Sequence, residues 1–183
     1  VEQLSLGDSL ESAFSGWYFD DVLQQIIHTL KYDEKRSVAG ARLLASMLRA
    51  EIETLTLDAV VPIPLHSAKL RQRGFNHSAS IAALLAHELG IEYVPNLLRR
   101  SRNTVSQTTL SLEERKDNVS RAFISGELGD HERILVVDDI LTTGATVSSS
   151  AVTLKEAGAR FVAVMTVGTP YLEPSGNSGQ KGI

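Results

Sequence analysis

The chain has 183 residues, of which 43% are hydrophobic and 22% charged, the composition of an ordinary soluble globular protein with room for one domain. No apolar stretch approaches the ~20 residues that span a bilayer, and the net charge of −4 argues against wholesale wrapping of nucleic acid. The absence of cysteine excludes disulfides and thiolate zinc sites, which fits a reducing cytoplasm.

The first half of the chain alternates helical and strand patterns. Apolar residues at helical spacing predict helices over 21–30 and 37–53. The apolar run 58–64 ends in two prolines and predicts a short buried strand. A third helix is predicted over 77–89, with Gly90 at its C-terminal cap, and 91–94 is a candidate strand.

The second half holds the clearest pattern. A polar stretch over 98–118 predicts a long loop, with a short helix around 112–118. Continuous apolar strands over 133–137 and 161–167 flank a helix over 146–158, whose inward positions are Val147, Ala151 and Leu154 and whose stop is Gly158. Strand, helix and strand in this order predict a parallel pair buried on both faces.

These elements predict one α/β domain over 1–172, with a central, mainly parallel sheet flanked by helices. A helical amino-terminal part covers 1–55 and the α/β core covers 56–172, while the Gly- and Ser-rich tail 173–183 is expected to be disordered.

Positive charge is concentrated in the middle of the chain. Between His66 and Arg121 there are nine Lys or Arg against five acids, so the segment carries +4 while the rest of the chain carries −8. Most such clusters are solvated surface, but this one also suits a polyanionic ligand.

The stretch "ILVVDDILTTGAT", 134 to 146, places Asp138 and Asp139 where ligands collect in a parallel α/β sheet, at the carboxyl end of a strand. The turn that follows supplies hydroxyls, backbone N–H groups at a helix start and one glycine for a tight turn. Carboxylates beside a phosphate cradle suit a ligand that also carries diol hydroxyls and a divalent cation, such as a ribose 5-phosphate. The cradle residues are Thr142, Thr143, Gly144, Ala145 and Thr146.

Three alternatives explain this stretch less well. A signalling receiver domain needs a later phospho-accepting Asp, and none follows Asp139. A nucleotide-binding P-loop needs G-x-x-x-x-G-K-[ST], which does not occur. A purely structural strand-to-helix turn would account for the cap and the threonines but not for the whole pattern.

The same stretch resembles the phosphoribosyl pyrophosphate (PRPP) motif of type I phosphoribosyltransferases. The segments "VVPIPLHSAKLRQRGFNHS", 60 to 78, and "RRSRNTVSQTTLSLEERKDNVSRAF", 99 to 123, look like the ComF and GntX group of that family, which is associated with competence and DNA uptake. "LKY", 30 to 32, extends the resemblance. Proteins of that group often begin with a cysteine-rich zinc module; this chain has no Cys, and nothing about zinc is carried over.

The resemblance implies roles for individual residues. Asp138 and Asp139 would be the catalytic pair, binding the ribose hydroxyls directly or through Mg²⁺, and the cradle residues would hold the 5-phosphate. A mobile hood would close over the ligand. Pyrophosphate would meet Leu65, His66, Lys69, Arg71 and Arg73, and the hood would add Arg99, Arg102 and Gln107.

Several alternatives stay open. Arg115 and Asn118 suit an anchoring role as well as a ligand contact, and His66 and His77 are more often structural than ligands. Aromatic residues in 11–45 could stack on a base but are as often core; they are Trp17, Tyr18 and Tyr32.

The expected chemistry is displacement of pyrophosphate from C1 of the ribose by a nitrogenous base or nucleotide, through an oxocarbenium-like state. The alternative is a domain of the same fold that binds PRPP or a nucleotide without turnover and serves as a regulatory or DNA-uptake adaptor. A cytoplasmic location, contact with the DNA-uptake machinery and no membrane contact are expected, and a homodimer is left open.

Overall fold

The computed structural model describes residues 10–19, 42, 52–101, 122–140 and 144–170. Its strands are β1 (Ser12–Phe19), β2 (Ala59–Pro62), β3 (Glu92–Tyr93), β4 (Leu98–Arg100), β5 (Phe123–Ser125), β6 (Arg133–Ile140) and β7 (Phe161–Pro170). Its helices are α1 (Ser67–Arg73), α2 (His77–Leu89) and α3 (Ala145–Glu156). Five strands form one sheet in the order β1-β7-β6-β2-β3, every neighbouring pair being parallel, while β4 and β5 form a separate antiparallel ribbon.

Helices cover both faces of the sheet. Successive residues of a strand point to opposite faces, so each strand contributes side chains to both layers. In β6, Leu135 and Val137 belong to the hydrophobic cluster that α2 covers. Ile134 and Val136 belong to the cluster that α3 covers. The continuous apolar strands are therefore buried on both sides, and the predicted α/β class with a mainly parallel sheet is confirmed.

The helices around the central strands agree with the sequence pattern. Helix α2 ends at Gly90, whose φ of +67° is the left-handed conformation of a glycine cap. The inward residues predicted for α3 are all buried. No helix in the described residues is long and apolar enough to cross a membrane.

The structure also contains elements that the sequence analysis does not predict. Strand β1 lies inside 1–55, where a helical amino-terminal part is predicted, so that prediction does not hold over Ser12–Phe19, whose backbone pairs with β7 in the central sheet. Helix α1 is not predicted from the sequence, and none of its residues is buried. Strand β4 begins inside the predicted loop 98–118. The loop prediction is therefore wrong at its first three residues, where pairing with β5 orders the backbone.

Several predictions fall on residues that the structure does not describe. The helices over 21–30 and 112–118 and the tail 173–183 lie outside the described residues. So does the helix over 37–53, except for helical residues 42, 52 and 53.

Candidate functional site

Two adjacent carboxylates, Asp138 and Asp139, lie at the carboxyl end of the central strand β6. The end of β2 runs beside them, because Val137 pairs with Pro62 and its carbonyl accepts a hydrogen bond from the Ile63 N–H at 2.8 Å. The apolar run of β6 gives way to acids where the sheet ends. This is the edge at which parallel α/β sheets bind ligands.

Asp138 is buried and hydrogen-bonded. Its Oδ1 accepts from the Ser78 hydroxyl at 3.3 Å and from the Asp139 backbone N–H at 2.9 Å. Burial and, next, the negative charge of Asp139 raise the pKa of Asp138, these two hydrogen bonds lower it, and the net pKa is about 7. Near neutral pH the carboxyl is thus close to its midpoint, and a cation beside it would favour the ionised form.

The first turn of α2 supports both acids and the end of β2. The Nε2 atom of His77 lies 2.9 Å from Oδ2 of Asp139, and the two side chains are 3% and 19% exposed. The Nδ2 group of Asn76 donates to the Ile63 carbonyl at 2.9 Å. Among the described residues, both ring nitrogens of His77 and the Oδ1 atom of Asn76 are buried without a hydrogen-bond partner.

The loop after β2 carries two of the predicted pyrophosphate contacts. Leu65 is half-buried, and the exposed His66 accepts the Ala68 N–H on its Nδ1 atom at 3.2 Å, which caps α1. The Arg100 Nε–H donates to the Pro64 carbonyl at 3.2 Å, and its guanidinium lies 5.3 Å from the centre of the Phe123 ring. Arg100 therefore connects the β4–β5 ribbon to this loop.

The predicted cations lie on exposed surface. Lys69 and Arg71 are exposed on α1, Arg73 is partly exposed, and Arg99 is exposed on β4. Helix α1 directly follows the loop at the carboxyl end of β2. None of the four forms an ion pair with another residue in the described ranges.

The start of α3 supplies part of the predicted phosphate cradle. Gly144 precedes the helix with a φ of +75°, a conformation that side chains disfavour. Ala145 and Thr146 begin the helix, so their N–H groups lie at its positive end. The other predicted contacts lie outside the described residues; they are Thr142, Thr143, Arg102 and Gln107.

No protein-family model matches the chain. Over 147 residues it is 36% identical to DNA utilization protein YhgH of Salmonella typhi, an alignment that covers 78% of the chain and 65% of that protein. Over 130 residues it is 30% identical to Competence protein F of Haemophilus influenzae, covering 68% of the chain and 57% of that protein. These similarities confirm the resemblance to the ComF group that the sequence motifs indicate.

The chain thus spans 65% of the length of the YhgH relative. A solved purine phosphoribosyltransferase from Pyrococcus horikoshii covers 88% of the chain with 16% identity and a TM-score of 0.39, a likeness too loose to bear on the fold. The fold assignment rests instead on strand order and the flanking helices.

The support that α2 gives to the acids is not evident from the sequence. Ser78 and Asp138 are 60 residues apart in the chain, and their contact leaves no local pattern. The signal in the sequence was three successive polar residues, Asn76 to Ser78, at the start of a predicted helix. They lie inside the segment 60–78, which resembles the ComF and GntX group.

Proposed function

We propose that the chain is a phosphoribosyltransferase-like protein that binds PRPP with Mg²⁺ in the cytoplasm. It transfers the phosphoribosyl group to a nitrogenous acceptor and releases pyrophosphate. The observation that carries the proposal is the pair of acids at the end of β6, the buried Asp138 and the partly exposed Asp139, followed within six residues by Gly144 and the amino end of α3. The two acids suit the diol of a ribose 5-phosphate, and the start of α3 suits its phosphate.

The donor set fits Mg²⁺. Magnesium is commonly held by one or two carboxylates together with substrate phosphates rather than by an all-protein cage. Two carboxylates meet here, and no group of three His, Asp or Glu side chains that could hold a metal occurs among the described residues. Mg²⁺, when bound, would offset the charge of the acids and of the departing pyrophosphate.

Different residues of the chain then act on different parts of PRPP. The ionised carboxylates accept hydrogen bonds from the ribose hydroxyls and stabilise the positive charge that develops at C1. Ser78 and the Asp139 N–H hold one oxygen of Asp138 in place. The N-terminus of α3 faces the 5-phosphate, and Lys69, Arg71 and Arg73 offset charge on the pyrophosphate. The contacts assigned to Thr142, Thr143, Arg102 and Gln107 belong to the same proposal.

A second candidate function is a domain that binds PRPP or a nucleotide without turnover and acts as an adaptor. The name of one relative favours it, because DNA utilization protein YhgH is named for the use of DNA. A link to DNA uptake is part of both candidates.

Release of labelled pyrophosphate from PRPP in the presence of a panel of bases separates the two. Release that depends on one base and on Mg²⁺, and that is lost in Asp138→Asn with Asp139→Asn, supports the transferase. Tight PRPP binding without release for any base supports the adaptor. Absence of PRPP binding contradicts the transferase, and absence of both PRPP and nucleotide binding contradicts both candidates.

A further inference from the structure

The first turn of α2 contains a buried histidine whose polar atoms are not accounted for. The His77 side chain is only 3% exposed, and neither ring nitrogen has a hydrogen-bond partner among the described residues. A buried polar group without a partner costs free energy, so such a group in a folded protein calls for an explanation such as a bound ion or water.

The geometry around the Nε2 atom of His77 helps to choose between a bound ion and a bound water. This atom lies 2.9 Å from Oδ2 of Asp139, yet the contact does not have the geometry of a hydrogen bond. Two ligands of one metal ion show this arrangement, since their lone pairs converge on the ion and not on each other. With metal–ligand bonds of about 2.1 Å, neighbouring ligands at right angles lie about 3 Å apart.

We infer that His77 Nε2 and Asp139 Oδ2 together bind a divalent transition-metal ion, so that the cation of this site has one nitrogen ligand. The inference deepens the proposed function and rests on its assignment of a divalent cation to Asp139. The protein supplies two donors, and water or phosphate oxygens complete the coordination. Asp139 is 19% exposed, whereas the His77 side chain is 3% exposed.

An imidazole donor changes which metal the site prefers. Mg²⁺ favours oxygen ligands, whereas imidazole binds well to first-row transition metals. A carboxylate pair alone would give a magnesium site, while one carboxylate with one imidazole favours transition-metal dications such as Mn²⁺ over Mg²⁺.

The test uses the full chain with Mn²⁺ as the probe, without PRPP. Electron paramagnetic resonance measures Mn²⁺ binding, competition with Mg²⁺ gives the preference, and pulsed methods detect nitrogen hyperfine coupling on the bound ion. We expect nitrogen coupling and roughly tenfold tighter binding of Mn²⁺ than of Mg²⁺. His77→Gln should remove the coupling and weaken Mn²⁺ binding by about tenfold or more.

A matched control is His131→Gln. The Nε2 atom of His131 lies 3.7 Å from Oε2 of Glu92, so it is another histidine near a carboxylate, but away from the carboxyl end of β6. This variant should keep both the nitrogen coupling and the preference for Mn²⁺. Asp139→Asn should lose Mn²⁺ binding.

Bound Mn²⁺ without nitrogen coupling in the unmodified chain, or coupling that persists in His77→Gln, would overturn the inference. The first of these results needs no variant, so it decides the matter even if His77→Gln fails to fold. Calorimetry of PRPP with Mg²⁺ on the unmodified chain is independent. If PRPP binds and the nitrogen coupling is absent, the metal inference fails and the proposed function stands. If the nitrogen coupling is present and PRPP does not bind, the proposed function fails and the metal inference stands.

Discussion

The two ends of the central strands use charged residues in opposite ways. At the amino end, Oδ2 of Asp58 accepts the backbone N–H groups of Glu132 and Arg133 at 3.0 and 2.8 Å. Arg133 donates to the carbonyls of Leu55 and Thr56 and stacks 4.3 Å from the centre of the Phe161 ring. Each of these two charged side chains therefore has partners of complementary chemistry.

At the carboxyl end, two like charges are adjacent and a buried imidazole lacks a hydrogen-bond partner among the described residues. The same strands, β2 and β6, reach both ends, so the difference comes from side chains and not from backbone architecture. An end whose polar groups satisfy one another contributes stability. An end with unmet polar groups retains binding capacity for a ligand, at some cost in stability.

The largest expected effect is on ligand binding at the carboxyl end. Asp138→Asn together with Asp139→Asn removes two charge-assisted contacts of about 2 kcal/mol each, which amounts to about a thousandfold in PRPP affinity with Mg²⁺. The fold should remain intact because the acids lie at a strand end. Calorimetry measures the affinity, and unchanged binding would reject the site; Asp130→Asn, at an exposed position, is the control.

The next effect is on stability at the amino end. Asp58→Ala leaves two backbone N–H groups without their acceptor, so we expect a loss of about 3 kcal/mol in the free energy of unfolding. Affinity for PRPP should stay the same in the folded variant. Chemical denaturation provides the measurement, with Asp130→Ala as a control expected within about 0.5 kcal/mol of the unmodified chain. A stable Asp58→Ala with impaired binding would reverse the roles of the two ends.

The pH dependence of stability without ligand should distinguish the ends as well. The pKa of Asp138 is raised to about 7 from an ordinary value of 3.8, so the folded state retains a proton that the unfolded state releases. The contribution of this group is fully present below 3.8 and is lost as the pH rises through about 7.

Asp138→Asn lacks this titration. Between pH 5 and pH 8, the free energy of unfolding of Asp138→Asn should therefore rise relative to that of the unmodified chain by on the order of 2 kcal/mol. Denaturation curves of both proteins at the two pH values measure the gain. A constant difference would contradict the buried, like-charged environment described for Asp138.

The smallest effect concerns the exposed cations of α1. Arg71→Ala with Arg73→Ala should weaken PRPP binding about fivefold, because contacts at an exposed surface are screened by water and salt. Stability should not change, since α1 buries none of its residues. Arg160→Ala, at the amino end, is the matched control.

DNA binding is the competing role for these arginines. Each neutralised DNA phosphate adds about −0.9 to the log–log salt slope, so a DNA surface would show a steep dependence that a small-ligand site lacks. Weak DNA binding at physiological salt agrees with the pyrophosphate role. Loss of a retarded DNA band in the double variant, with PRPP affinity unchanged, would favour the adaptor function.

The sequence was sufficient to predict the parts of the fold whose signal is local. The apolar runs of β6 and β7, the period of α2 with Gly90, and the acids at the end of β6 are each contained in a short stretch. Topology then places Asp138 and Asp139 at the carboxyl edge of the sheet, where parallel α/β sheets bind ligands, without further information.

Contacts between distant segments could not be predicted in this way. The stretch of β1 mixes Ser and Gly with aromatic residues, and among the described strands β1 pairs with β7 alone, more than 140 residues later. The β4–β5 ribbon has three residues in each strand and depends on pairing across a gap of 22 residues, from Arg100 to Phe123. Likewise, His77 becomes part of the site only because the fold brings α2 to the end of β6.

Mapping of backbone amide chemical shifts during titration with PRPP and Mg²⁺ tests most directly whether the ligand binds at the carboxyl end of the sheet. We predict that the shifts concentrate in 63–66, 76–78 and 138–146, while Asp58, Glu132 and Arg133 at the amino end keep their positions. Absence of shifts, or shifts centred on the amino end, would contradict the account.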